Sequence, residues 1–66
     1  MSRQIDIRKI TGRRIAQKRE EAGLTQDEMS LRMGMSEEGY ARYERGLAAL
    51  TVSKLAKIAA IFECAL

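Results

Sequence analysis

Apolar positions along this chain recur at intervals of three and four residues, and nothing alternates with a sustained period of two beyond Ile5 and Ile7. That spacing predicts helices. The first is expected to begin between Asp6 and Thr11 and to run to Ala22, with Gly23 as its stop and a narrow apolar side of Ile7, Ile10 and Ile15. Thr25 followed three residues later by Glu28 is a capping-box signature, so a second helix should run from Gln26 to about Met33. Within it Met29 and Met33 share a face. Gly34 can adopt positive φ at its end, and Ser36 is a suitable N-cap for a third helix from about Glu37 to Arg45, stopped at Gly46. There Tyr40 and Tyr43 share a face and leave Arg42 on the other side. Thr51 can cap a fourth helix with Val52, Leu55, Ile58, Ala59 and Phe62 on one side; Glu63–Leu66 is too short to assign.

The most informative stretch is Gln26–Arg45. Two short helices joined by so tight a turn must cross steeply, and small Ser30, four residues before Gly34, would let the second approach the first closely. This is the pattern of a helix-turn-helix, whose second helix usually enters the major groove of DNA.

Composition narrows the class. Sixty-six residues, no Pro, five Gly and 32% charged residues suit one compact helical domain over residues 1–66, short enough that oligomerisation would help its stability. No apolar run is long enough to span a membrane, and MSRQIDIRKI lacks the apolar core of a signal peptide. One cysteine, Cys64, forms no internal disulfide, which fits a cytoplasmic location. The net charge of +3 is unevenly spread. Residues 1–19 carry Arg3, Arg8, Lys9, Arg13, Arg14, Lys18 and Arg19 against Asp6 alone, a net of +6; residues 20–38 carry a net of −5. A basic N-terminal segment suits phosphate backbones, and a solvated helix face explains it equally well.

In order along the chain, Gly12-Arg13-Arg14-Ile15 with Arg19, Gly23-Leu24-Thr25-Gln26, Met29, Gly34-Met35-Ser36, Arg42-Tyr43-Glu44-Arg45-Gly46, and Leu55, Ile58-Ala59 and Phe62 resemble the anchors of the Cro/repressor-type, or XRE, helix-turn-helix proteins. The resemblance covers about residues 10–62. It implies an all-α fold, a compact four- to five-helix lambda-repressor-like DNA-binding domain. Gln26 then resembles the residue that binds a phosphate oxygen and braces the recognition helix. Glu37, Glu38 and Arg42 stand where the family usually faces base edges. Gly39 stands where a hydroxyl residue often touches the DNA backbone. Arg19 and Glu44 match a structural ion pair between the first and third helices. Three departures stand out. Tyr40 replaces a branched aliphatic residue on the buried side, Leu50 stands where proline is common, and the sequence stops where the family usually begins a fifth helix.

The candidate chemistry follows from residue type. Arg42 can bond both major-groove acceptors of guanine, and a glutamate can accept from the cytosine amino group. Glu37 and Glu38 also suit the positive end of a helix dipole whether or not they touch DNA. Arg45 and the Gly46 region, just past the third helix, offer a phosphate contact. Lys54 and Lys57 read as surface charges, and the methionines, among them Met29, Met33 and Met35, as adaptable core filling. With no histidine and one cysteine, zinc sites of Cys and His within one chain and histidine triads are excluded. No cofactor, metal or enzymatic activity is expected.

The reading is a sequence-specific regulator of transcription that binds double-stranded DNA as a homodimer on two half-sites. The alternative is a protein-binding module, such as an antitoxin, in which DNA is secondary. In the terminal segment AKIAAIFECAL, Ile58, Ala59 and Phe62 are expected to face the core, leaving Ala60, Ile61, Ala65 and Leu66 without an intrachain partner. A contiguous exposed apolar patch marks an interface. The dimer contact is therefore expected around Ile61 and Leu66, with Cys64 close by.

Overall fold

Four helices make up the described residues of this computed structural model, which describes residues 6–65 and the side chains of residues 6–63. They are α1 (Ile7–Glu21), α2 (Gln26–Met33), α3 (Glu37–Glu44) and α4 (Val52–Ala65), and among the described residues there is no strand. The all-α expectation holds, and each boundary has a local cause. The Asp6 carboxylate accepts from the amides of Arg8 and Lys9 at 3.1 and 3.3 Å and starts α1. Thr25 and Glu28 form the full reciprocal capping box, with Glu28 N donating to Thr25 Oγ1 at 3.1 Å and Thr25 N donating to Glu28 Oε1 at 2.9 Å. Ser36 Oγ accepts from Gly39 N, and Thr51 Oγ1 from Lys54 N.

The tight turn between α2 and α3 depends on Gly34, whose φ of 72° lies in the left-handed region. Beyond it the amide of Met35 donates back to the carbonyl of Ser30, closing the end of α2. Only two residues then separate Gly34 from the start of α3. That geometry folds α3 across α2, and Ser30, 1% exposed, lies buried as its small side chain suggested.

The core is Ile15 of α1, Leu24 of the turn after it, Met29 and Met33 of α2, Tyr40 of α3 and Ile58 of α4. Met35, Tyr43, Leu50, Ile61 and Phe62 pack on it half-buried. Helix α3 sits centrally, packed on α2 and on α1. Its approach to α1 is set by Gly12, where an added Cβ would run into the carbonyl oxygens of Tyr43 and Glu44. Helix α4 docks on α2, where Lys57 Nζ donates to the carbonyl of Met33 at 3.1 Å. Lys57 is therefore not a plain surface charge: it satisfies a C-terminal carbonyl of α2, where cations are favoured.

Several expectations about which side chains face inward are corrected. Ile7 and Ile10 are exposed, at 70% and 47%, because the chain leaving α3 meets the first turns of α1 at Lys9, beside Gly46, and not at the isoleucines. On α4, Val52, Leu55 and Ala59 are exposed, and the inward stripe is Ile58, Ile61 and Phe62. Ile61 thus has intrachain partners, contrary to the expectation that it would be left over. Helix α4 is apolar on several sides, so its sequence alone does not single out a docking face. The segment left unassigned continues the helix, which reaches Ala65. The Leu66 expectation and that for the Cys64 side chain lie outside the described residues.

Candidate nucleic-acid interface

Helix α3 presents an outer side that carries Glu38 and Arg42, and its first turn adds Glu37; all three are exposed. Tyr40, wholly buried, and Ala41, 6% exposed, anchor its inner side. Glu38 and Arg42 are one turn apart and share a face. They do not form an ion pair, so an acceptor and a planar cation remain free side by side. Glu37, Glu38, Ala41 and Arg45 line an open depression together with Gln26, the first residue of α2. Gln26, Glu37, Glu38 and Arg45, far apart in sequence, therefore converge on one surface, whereas Arg42 lies outside that depression.

Beneath this surface is a polar bracket. Arg19 of α1 and Glu44 of α3 are bound through two contacts, Nε to Oε2 at 2.7 Å and Nη2 to Oε1 at 3.3 Å. Arg19 Nη1 also donates to the carbonyl of Leu24 at 2.8 Å. Gln26 Nε2 donates to Glu44 Oε1 at 2.9 Å, which fixes its carboxamide. Burial by itself would push the Glu44 carboxyl up; the hydrogen bonds from Arg19 and Gln26, with the Tyr40 hydroxyl close by, outweigh it and hold it below its ordinary value. The hydrogen bond to Glu44 likewise raises the Arg19 guanidinium above its own. Side-chain exposures of 12% and 6% make this a largely buried pair, and one with its remaining lone pairs engaged.

The Tyr40 hydroxyl is enclosed beside this bracket without a partner in hydrogen-bond geometry. Burial first, and then the neighbouring Glu44 carboxylate, raise its pKa well above that of an ordinary phenol. It stays neutral, and it fills the wider packing expected where a tyrosine replaces an aliphatic residue.

The Gly39 amide is engaged by Ser36 Oγ at 3.0 Å, and the residue is half-buried, which leaves it no free donor for a phosphate. Arg45 closes α3 as its C-cap, is exposed, and borders the depression with Glu37 and Glu38 as well as a second one. That second depression brings in Lys9 and Arg13 of α1, which the sequence offered only among the seven cations of its basic N-terminal segment. Their spacing of four places them on one helix face.

Among the described residues no group of His, Cys, Asp and Glu is arranged to hold a metal ion, and no helix is long and apolar enough to cross a membrane. A family model described as helix-turn-helix matches residues 15–66, which takes in α2, the turn, α3 and α4. Neither the curated proteins nor the solved structures contain a significant match to the chain.

Proposed function

The chain belongs to the Cro/repressor-type helix-turn-helix family, a family of DNA-binding regulators, and on that premise we propose that it reads a specific duplex sequence with α3 in the major groove, as one half of a homodimer on a two-fold operator. The observation that carries this reading is the mounting of α3. Its outer side offers Glu37, Glu38 and Arg42 to solvent, while its inner side is fixed by Tyr40 and by the Arg19–Glu44–Gln26 bracket. A helix held so firmly loses little further conformational freedom on docking.

Arg42 is the donor for guanine, and Glu37 or Glu38 the acceptor for the cytosine amino group. Gln26 and Arg45 contact phosphates and set the register of α3 on the duplex. Phosphates repel both glutamates, which penalises any site that fails to offer them a donor. One short helix makes few base contacts, and a dimer doubles them. Half-sites would lie about 10–10.5 base pairs apart, or a multiple of that.

Selection of binding sites from random duplex DNA, followed by salt titration on the selected sequence, tests this reading directly. A palindromic winner with a steep salt dependence is the expected result. Recovery of no preferred sequence would overturn it.

In a second reading, a protein-binding module in which DNA is secondary, a different protein covers the apolar surface that a second copy covers in the first. Ile7, Val52 and Leu55 are exposed at 70%, 83% and 39%, and Ile7 and Leu55 border a common apolar groove with Ala48, Ala49 and Leu50. Exposed apolar surface of this kind marks an interface. The selection separates the two readings, because a module that only holds a protein partner returns no operator.

A further inference from the structure

Between α1 and the end of α3 lies an open depression of about 420 Å³, lined by Lys9, Arg13, Ala16, Gln26, Glu44 and Arg45. Its shape follows from a close approach. At Gly46, just past α3, an added Cβ would sit 2.8 Å from the Cα and the amide nitrogen of Lys9, so the absence of a side chain lets α1 pass against the exit of α3. Lys9 and Arg13, four residues apart, then stand on the same face of α1 as each other and border the same hollow as Arg45.

The charge in this hollow is unbalanced. Lys9, Arg13 and Arg45 are exposed, and none is in an ion pair with any described carboxylate. The one carboxylate that borders the hollow, Glu44, is already taken by Arg19 and Gln26. Like charges one helical turn apart destabilise a helix, and a third cation added from α3 increases the repulsion. The packing does not require these charges: Ile15 anchors α1, Gly12 sets its distance from α3, and Lys9 meets Gly46 through its backbone and methylene stem. Such a departure from local stability is expected at a functional site. The group that relieves it is an anion with several acceptor oxygens.

We propose that Lys9 and Arg13 of α1, with Arg45, form a seat for a single phosphodiester of the bound duplex, clamping the strand that passes beside Gln26. The inference rests on the DNA-binding reading above and extends it, because it makes α1 part of the interface and not only a support for α3. Gln26 marks where the strand passes. Its carboxamide is fixed by Glu44 at the shared rim of this hollow and of the one bordered by Glu37 and Glu38. The seat therefore adjoins the base-reading surface and fixes how far along the strand α3 is placed.

The test compares the full chain with Lys9→Ala, Arg13→Ala and the double variant, on the selected operator and on random duplex. Helix content and Tm are measured alongside. The double variant should reduce the slope of log K against log salt by about 1 per half-site, the weight of one phosphate, and each single variant by less. Affinity for operator and random duplex should fall in parallel, leaving base preference as it was. Lys18→Ala with Arg32→Ala, which removes two cations outside the hollow, serves as a control and should change the slope less. Operators in which one phosphate at a time is replaced by a neutral methylphosphonate should show one position per half-site that weakens the wild type more than the double variant, which keeps Arg45.

A double variant with the wild-type salt slope would overturn the seat while leaving the operator, and so the DNA-binding reading, intact. Losses equal to those of the control pair would do the same, reducing Lys9 and Arg13 to general charge. Inorganic phosphate bound by Lys9 and Arg13 with no change in the DNA slope would mark an anion site unrelated to DNA, and would also overturn it. A wild-type chain that binds no duplex would remove both readings together.

Discussion

Arg42 and Glu38 are neighbours on the outer face of α3, and the roles proposed for them differ in sign. Replacing Arg42 with Ala should weaken operator binding by about 1–3 kcal/mol and relax the preference at one base pair per half-site. Binding measured against a panel of single-base operator variants checks both parts. Glu37→Gln and Glu38→Gln should instead raise affinity for random duplex and narrow the gap to the operator, since each removes a charge that phosphates repel; competition binding on random and selected duplexes reads this directly. Beneath them, Arg19→Ala or Glu44→Ala should cost stability of about 3–5 kcal/mol, because each strands a largely buried opposite charge. In a domain of this size that is a fall in Tm of roughly 4–8 °C for each kcal/mol. The pH dependence has a definite direction. The Glu44 carboxyl is held below its ordinary value in the folded chain, so its contribution is complete above the unfolded pKa of about 4.3 and is lost as pH falls through the lower native pKa. Acid titration of stability should therefore be shallower in Glu44→Gln than in the wild type.

At the scale of the helices, the contact between α1 and α3 is made by the absence of side chains. Gly12 and Gly46 lie on opposite sides of it, one within α1 and one just past α3. An added methyl at Gly12 meets backbone carbonyls, which have no flexible end to move aside. Gly12→Ala should cost about 1–3 kcal/mol in overpacking, even though alanine is the better helix former. Thermal melting checks this, and an unchanged or higher Tm would show that α1 shifts freely. The same shift would widen the hollow between Lys9 and Arg45, so operator affinity is expected to fall as well. Helix α4 is held differently, through Ile58, Ile61 and Phe62 and through Lys57 at the end of α2.

For the whole molecule, the consequence concerns assembly. Among the described residues of the terminal segment, Ala60 is exposed as its sequence suggested and Ile61 is not. Ile61 is half-buried against the core, and Val52 and Leu55, one turn apart on α4, are exposed along with Ile7. The proposed homodimer is therefore expected to join through the early turns of α4 and the start of α1. Val52→Glu with Leu55→Glu should give monomers, weaken operator binding and leave helix content unchanged. Ile61→Glu should chiefly lower stability, since it drives a charge toward the core. Sedimentation of the three chains decides between the two surfaces. A wild type monomeric at high concentration would rule out both.

Helix number, order and most boundaries were legible in the sequence because their causes are local. Asp6, Thr25 with Glu28, Ser36 and Thr51 each cap the helix that follows them within three residues, and Gly34 turns the chain between α2 and α3. The exposure of Arg42 was also legible, because Tyr40 and Tyr43 mark the opposite side of a short helix, whereas Glu37 and Glu38 were placed outward by the family resemblance. The docking face of α4 was not. A helix apolar on several sides has no unique stripe, and only contact with α2 selects Ile58, Ile61 and Phe62. The partnership of Lys57 with Met33, the fixing of Gln26 by Glu44, and the meeting of Lys9 and Arg13 with Arg45 are likewise set by the tertiary structure. Each joins groups from different helices, and which groups meet depends on crossing distances fixed at Gly12 and Gly46 and not on any spacing along the chain.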